Sequence, residues 1–415
     1  MKRRWIALTA LLVLAGLALG GYVYARNRTG SIYHPHARFV PQANPTLPKR
    51  GPERFSWPLY GYTKNHARYY PAPASLRPPF RKVWAVGGSS LREFPPALSE
   101  NRIFQLTDNG VLTAVDKWDG QILWSRGLGA LSASSPAVGG NTVYTTVLAR
   151  APDSEEGRIV ALDVANGAIR WSRSLPSRSE SSPLLDRGRL YFGSEDGTVY
   201  ALDARTGQTV WTYHAAGAVK ASPTLVNGVL YFGDYSGHVQ AISERTGQRL
   251  WLASSEGALF GSGTFYSTAA VVYGRVFLGN TDGRIYAYDA HTGALDWAYQ
   301  TGAYVYASPA VTNAPGLGPT IYLGSYDGNF YAINARTGHV DWSYDAGGKI
   351  SGSATILGDI VYFSDLGTHT TYGLGISTGH MVFQLDTGAF DPVISDGRRV
   401  YLTGYSALYD LAPTG

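Results

Sequence analysis

The sequence predicts an all-β fold, an eight-bladed β-propeller whose blades are four-stranded antiparallel sheets. Two observations support this prediction. A unit of four short strand patterns recurs along most of the 415 residues, and the two ends of the repetitive region supply complementary parts of one further unit. A repeat of about 40 to 50 residues with four strands is typical of propellers.

Residues 182–211 show the repeating unit most clearly. Its strand patterns are short runs rich in β-branched and aromatic residues, which favour antiparallel sheet. Asp196-Gly197 and Thr206-Gly207 separate them, because glycine tolerates the positive φ of a tight turn. Each unit closes on an aromatic residue, and we predict that these residues pack between neighbouring blades. The series is Trp84, Trp124, Trp171, Trp211, Trp251, Trp297, Trp342 and finally Phe383, at intervals of 40 to 47 residues.

The ends of the repetitive region are complementary. Residues 82–84 have the pattern of a fourth strand without the first three. Residues 391–393, 399–402 and 407–411 have the pattern of three strands without a fourth. Together they predict an eighth, shared blade, which closes the ring and removes an exposed sheet edge. The propeller is therefore assigned to residues 81–415.

Residues 1–30 are predicted to be a signal-anchor helix. Lys2-Arg3-Arg4 precede an uncharged stretch over residues 5–24, about long enough to span a bilayer. We expect a single-pass membrane protein with the propeller on the extracytoplasmic side. Small residues near Ala18 and Ala25 also fit a cleavage site, and cleavage would give a secreted protein.

Residues 31–80 are predicted to be a linker, because ten prolines keep such a segment extended. Two aromatic islands, residues 55–60 and 69–70, interrupt it. We expect them to pack on the outside of the propeller; the alternative is that they dock a partner or touch the membrane interface.

Charge and composition exclude several classes of function. Residues 1–80 contain twelve Lys and Arg but one acidic residue, whereas the remainder contains 23 basic and 29 acidic residues. The basic segment suits anionic lipid headgroups, and the acidic propeller argues against a nucleic-acid partner. The chain has no cysteine, so a disulfide, a thiolate metal site and a lipid on cysteine are all excluded.

The repeat resembles the PQQ-like propeller repeat, as shown by Tyr200, Asp203, Thr206, Gly207 and Trp211. One branch of that family comprises quinoprotein dehydrogenases, which resemble each other in binding pyrroloquinoline quinone beneath a vicinal disulfide, beside calcium and an Asp base. Another branch is non-catalytic and includes a lipoprotein of the outer-membrane β-barrel assembly machinery and membrane-tethered scaffolds. The absence of cysteine and of large insertions departs from the first branch, and the absence of a lipid-bearing cysteine departs from that lipoprotein.

In propellers of this type, the loops that enter each first strand and the hairpins between second and third strands lie on one face. This places a mouth of charged and aromatic residues there, which is suited to a peptide, a sugar or a small ligand. The alternative is a solvated funnel with internal ion pairs such as Glu180 with Lys220. The predicted mouth residues are Glu93, Glu180, Lys220, Asp234, Tyr235, Tyr266, Tyr304, Tyr306, Tyr326, Asp327 and Asp391.

No catalytic constellation emerges from the sequence. No serine lies in a Gly-x-Ser-x-Gly elbow with a placed His and acid, no glycine-rich stretch has the lysine of a phosphate loop, and no metal site is predicted. We therefore expect an extracytoplasmic scaffold that binds a protein or ligand of the cell envelope, with no cofactor. The alternatives are a quinone-dependent oxidoreductase that uses pyrroloquinoline quinone, and a purely structural domain whose active partner is another chain.

Overall fold

The computed structural model describes residues 13–20, 31–34, 39–46, 56–257, 262–390 and 392–414. Residues 13–20 are helical. Across these ranges, no helix has both the length and the apolar character needed to cross a bilayer. The remainder of the predicted signal-anchor segment, residues 1–12 and 21–30, lies outside the described residues.

The described strands form eight separate sheets, which confirms the predicted eight-bladed propeller. Short polar turns with glycine at positive φ join successive strands, as at Gly197 and Gly207. Blade 1 contains β5 (Ala97–Ser99), β6 (Arg102–Leu106), β7 (Val111–Asp116) and β8 (Ile122–Gly127). Blade 2 contains β9 (Ala137–Gly139), β10 (Thr142–Val147), β11 (Arg158–Asp163) and β12 (Ile169–Ser174). Blade 3 contains β13 (Leu184–Asp186), β14 (Arg189–Gly193), β15 (Thr198–Asp203) and β16 (Thr209–His214).

The next four blades repeat this order. Blade 4 contains β17 (Thr224–Val226), β18 (Val229–Gly233), β19 (His238–Ser243) and β20 (Arg249–Ser254). Blade 5 contains β21 (Ala270–Val272), β22 (Arg275–Gly279), β23 (Arg284–Asp289) and β24 (Leu295–Gln300). Blade 6 contains β25 (Ala310–Ala314), β26 (Gly318–Gly324), β27 (Asn329–Asn334) and β28 (Val340–Asp345). Blade 7 contains β29 (Thr355–Leu357), β30 (Ile360–Ser364), β31 (Thr371–Gly375) and β32 (Met381–Leu385).

Blade 8 joins the two ends of the propeller, as the strand patterns predicted. Its strands are β33 (Val393–Ser395), β34 (Val400–Thr403), β35 (Ala407–Pro413) and, from the start of the domain, β4 (Phe80–Gly87). β35 pairs with β4 in antiparallel register from Ala407 opposite Gly87 to Pro413 opposite Phe80. Lys117 of blade 1 and Asp396 of blade 8 form a fully buried ion pair at 3.0 Å beside this junction.

The hydrophobic core lies between neighbouring blades, and the closing tryptophans occupy equivalent places in it. Each indole Nε1 donates a hydrogen bond of 3.0–3.1 Å to a carbonyl in a turn of the next blade. A glycine at positive φ lies against each ring, such as Gly207 (φ +72°) against Trp171. A Cβ at Gly207 would lie 2.8 Å from the Trp171 ring, so close packing requires glycine there.

Serine hydroxyl groups connect neighbouring blades at the neck of the central channel, where the chain enters the first strand of each blade. The Ser182 hydroxyl oxygen accepts from the Ser135 amide at 2.9 Å, and the Ser308 hydroxyl oxygen accepts from the Thr268 amide at 2.9 Å. The Ser222 hydroxyl donates to the Ser182 carbonyl at 2.8 Å. These serines belong to the segments that enter the first strands, so the hydrogen bonds align neighbouring blades around the axis.

Residues 56–72 run inside the ring and are called the channel plug below. The first strands of neighbouring blades approach one another around the axis, and the plug contacts these inner strands. Within it, β2 (Ser56–Trp57) pairs with β5, and β3 (Tyr69–Tyr70) pairs in parallel with β29. Plug carbonyls at Pro58, Lys64, Asn65, Ala67, Arg68 and Tyr70 accept from the amides of Val138, Leu225, Val271, Val311, Ile356 and Gly358 at 2.7–2.9 Å.

The expectation that the aromatic islands pack on the outside of the propeller is wrong for this segment. Trp57 and Tyr70 are buried in one core cluster with Leu98 and Val393, from blades 1 and 8. A peptide backbone inside the ring must satisfy its polar groups, and the inner strands provide the donors. Upstream, β1 (Ile32–Tyr33) adds a fifth strand to the outer edge of blade 5.

Candidate functional site

A small cavity at the mouth of the ring brings several predicted residues together. Glu93, Glu180, Lys220, Tyr266 and Tyr306 line its wall. Tyr60 of the channel plug also lines it, and its hydroxyl lies 3.0 Å from that of Ser353 at the neck. The cavity has a volume of about 40 Å³, so it is a shallow recess closed from below by the protein's own chain.

An ion-paired triad forms one side of the mouth. The Lys220 ammonium lies 2.6 Å from Glu180 and 2.7 Å from Glu195. The Tyr266 hydroxyl donates to the second oxygen of Glu180 at 3.2 Å. The triad contains the Glu180–Lys220 ion pair that the alternative interpretation predicted. Glu195 is a second carboxylate bound to the same lysine.

The burial of the triad sets its protonation. Burial raises the pKa of the Glu180 carboxyl above its usual value, in spite of the neighbouring ammonium. Burial alone would lower the pKa of Lys220, but hydrogen bonds and charges from both glutamates raise it instead. Lys220 thus stays charged between the two glutamates.

A tyrosine arc forms the other side of the mouth. The ring centroids of Tyr235 and Tyr266 are 6.3 Å apart, those of Tyr266 and Tyr306 are 5.7 Å apart, and those of Tyr306 and Tyr326 are 4.9 Å apart. Tyr304 packs edge-on against Tyr306 at 6.1 Å and is 53% exposed. The arc therefore presents aromatic surface to solvent above the cavity.

Lysines already occupy ring faces at both ends of the tyrosine arc. Lys220 Nζ lies 5.3 Å from the Tyr235 centroid, and Lys349 Nζ lies 5.5 Å from that of Tyr326. Cations within about 6 Å of an aromatic face are attracted by its quadrupole. The arc therefore has the chemistry to hold basic and aromatic side chains.

Two of the predicted mouth residues stabilise hairpins rather than line the cavity. Asp234 is fully buried and accepts from the Ser236 amide at 2.9 Å and the Gln240 side chain at 2.7 Å. Asp327 accepts from the Gly302 amide and the Tyr331 hydroxyl, both at 2.7 Å. Asp391 lies outside the described residues.

Sequence reasoning did not assign Tyr60 to the site, and it did not pair Glu195 with Lys220. Tyr60 belongs to a proline-rich stretch, and only its aromatic density marked it. Glu195 lies in an ordinary hairpin sequence, and its role depends on the approach of Lys220 from the next blade. Among the described residues, no group of three His, Asp or Glu side chains is arranged to hold a metal ion.

Comparisons with known proteins agree on the architecture. A family model described as "Outer membrane protein assembly factor BamB" matches residues 81–153, 108–258 and 235–407. The solved structure of BamB from Moraxella catarrhalis is 19% identical, with a TM-score of 0.65 over 81% of this chain and 98% of that chain. No curated protein matches the chain in sequence.

Solved dehydrogenases share the fold as well. The quinohemoprotein alcohol dehydrogenase from Comamonas testosteroni is 14% identical, with a TM-score of 0.70 over 86% of this chain and 80% of that chain. A europium-containing methanol dehydrogenase is also 14% identical, with a TM-score of 0.70 over 88% of this chain and 98% of that chain. At such identities the likeness concerns the fold alone.

Proposed function

Because the chain belongs to the PQQ-like β-propeller family described as outer membrane protein assembly factor BamB, we propose that it is a binding scaffold of the cell envelope. The propeller engages a protein partner through its mouth, and residues 1–30 tether it to the membrane with the propeller on the extracytoplasmic side. The basic start and the uncharged stretch over residues 5–24 support the tether.

The observation that carries this proposal is the closed, aromatic mouth. The channel plug seals the ring from below, so a partner meets a recessed surface rather than a tunnel. Tyr304 and Tyr306 present ring surface, and tyrosine provides large contact area at low conformational cost. The Glu180–Lys220–Glu195 triad adds charge in a fixed geometry, which favours a partner that carries basic side chains.

The mouth does not fit pyrroloquinoline quinone, the cofactor that the dehydrogenase branch implies. That cofactor is a flat, tricyclic tricarboxylate, whereas a cavity of about 40 Å³ has room for only a few water molecules. Glu93 and Glu180 line the cavity and repel an anion, and both carboxylates of the triad already hold Lys220. We therefore derive no redox chemistry for this chain.

Site-specific photo-cross-linking in producing cells tests the proposal. A photoreactive residue replaces Tyr304 in the mouth, and a matched control replaces Ile169, which is 48% exposed on the outer strand of blade 2. We expect a discrete protein adduct from position 304 and not from position 169. Tyr306→Ala should abolish it, because this change removes the centre of the tyrosine arc without breaking the triad.

Two results would contradict the proposal. Adducts of the same proteins from both positions, or adducts that persist in Tyr306→Ala, would show that the mouth is not the binding surface. Saturable binding of pyrroloquinoline quinone that prevents formation of the adduct would reinstate the dehydrogenase alternative.

A further inference from the structure

The outer strand of blade 4, β20, exposes an apolar edge. Leu250 and Leu252 are 57% and 43% exposed. Counted from the closing aromatic residue, the position of Leu252 carries a small or polar residue in every other blade: Ala85, Ser125, Ser172, Thr212, Ala298, Ser343 and Gln384. Repetition of the blade therefore does not account for a leucine there.

Sheet edges are normally protected against other strands, often by charge. The residue before the closing tryptophan is Arg170 in blade 2, Asp296 in blade 5 and Asp341 in blade 6. In blade 4 this position is Leu250, and it is also apolar in the four remaining blades, which carry Val83, Leu123, Val210 and Val382. Blade 4 differs from them by its second large apolar residue, Leu252. Among the described residues, no strand pairs with the outer edge of β20. The Ser254 carbonyl accepts from the Tyr288 hydroxyl at 3.1 Å, and the edge around Leu252 is open to a further strand.

The neighbouring blade shows what such an edge accepts. On blade 5, β1 pairs antiparallel with β24, with Ile32 opposite Ala298 and Tyr33 opposite Trp297. The His34 amide donates to the Asp296 carbonyl at 2.9 Å. The added strand leaves Trp297 only 1% exposed. An extended segment with an aliphatic and an aromatic residue therefore docks on a blade edge of this protein.

The blade 4 edge is continuous with that contact. A groove of about 410 Å³ runs between blades 4 and 5, and Leu250, Trp251 and Val40 are among the residues that line it. Ile32 of β1 packs against the same core cluster that Trp251 packs against. By position, Leu250 and Ser254 in β20 correspond to Asp296 and Gln300 in β24, whose backbone groups face β1 and the residues beside it.

We infer that β20 is a second docking site, which binds an extended β-strand from a partner protein. The strand adds antiparallel to the outer edge of blade 4 and places aliphatic or aromatic side chains against Leu250 and Leu252. Main-chain hydrogen bonds supply part of the affinity, and alternate side chains supply specificity. This site lies on a blade edge, so it is independent of the mouth.

A peptide titration of the full-length protein in mild detergent tests this inference. The probe is a fluorescein-labelled octapeptide, Gly-Ser-Ile-Tyr-Ile-Tyr-Ser-Gly, followed by anisotropy. Its control replaces both tyrosines by proline, which removes two backbone donors. We expect saturable binding of the probe alone, with slowed hydrogen exchange at the Ser254 amide.

Two matched variants identify the edge. Leu252→Lys should weaken binding at least tenfold, because it places a charge on the apolar edge. Thr212→Lys changes the equivalent position of blade 3, and the affinity for the probe should stay within twofold of that of the native protein. Equal losses in both variants, equal binding of the proline peptide, or no saturable binding to the native protein would overturn the inference. A concentration-dependent dimer that Leu252→Lys abolishes would also overturn it, since a second copy would then be the occupant.

Discussion

His66 of the channel plug provides a titration test of the plug. Its side chain is fully buried, and its Nδ1 lies 3.0 Å from the Thr224 hydroxyl oxygen. That hydroxyl donates its proton to the Ala269 carbonyl at 2.6 Å. Nδ1 must therefore be the protonated nitrogen that donates to Thr224.

Burial lowers the pKa of His66 well below its usual value, and the charge of Arg68 lowers it further. The unfolded chain takes up a proton near pH 6.5, whereas the folded protein does not. The contribution of neutral His66 to the free energy of unfolding is therefore complete above about pH 6.5, and it decreases as the pH falls below that value. The slope is about 1.4 kcal/mol per pH unit for one proton, or about 2 kcal/mol between pH 7.5 and 5.0.

His66→Asn is the matched variant, because an amide NH₂ can replace the Nδ1 donor without titrating. Urea unfolding at both pH values gives the two free energies for each protein. We expect the advantage of the native protein over the variant to shrink by about 2 kcal/mol from pH 7.5 to 5.0. Other buried groups, such as Asp410, whose pKa burial raises to about 7, cancel in the difference. An advantage that is independent of pH would refute the burial of a neutral His66.

Two further predictions concern the contacts between blades. Gly247→Ala should cost about 1–3 kcal/mol more than Gly188→Ala in urea unfolding, because both glycines have positive φ but only Gly247 would place its Cβ 2.7 Å from the Trp211 ring; equal costs would contradict the packing. Lys117→Met should cost about 3–5 kcal/mol by leaving Asp396 as a buried charge. Adding Asp396→Asn should restore part of the loss, because the amide removes the charge while its oxygen still accepts from the Arg398 and Arg399 amides; a double variant as unstable as the single one would show that the pair does not act as a unit.

The propeller was predictable because its signals are local and repeated. An aromatic residue that closes each unit and a glycine four positions before it recur in blades 1 to 7, and their period gives the number of these seven blades. The closure was predictable because each end of the repetitive region supplies an incomplete blade. The start has one strand pattern, at β4, and the end has three, at β33, β34 and β35. Such features require no knowledge of distant contacts.

The channel plug and the triad were less accessible to sequence reasoning. The plug has no repeat, and its prolines have the composition of a linker. Its carbonyls find donors in blades far along the chain, so no local pattern marks them. Glu195 likewise has an unremarkable hairpin context, and only the packing of successive blades brings Lys220 to it.

The channel plug also imposes an order of events on synthesis. Residues 56–72 leave the ribosome before any blade, yet their hydrogen-bond donors lie in blades 2, 4, 5, 6 and 7. β4 likewise cannot pair until β35, the last of the described strands, has been synthesised. Pairings between such distant segments form slowly, and unpaired edges remain exposed until they do. A nascent chain that stops before blade 7 therefore lacks part of the donors for the plug, and one that stops before blade 8 cannot close the ring.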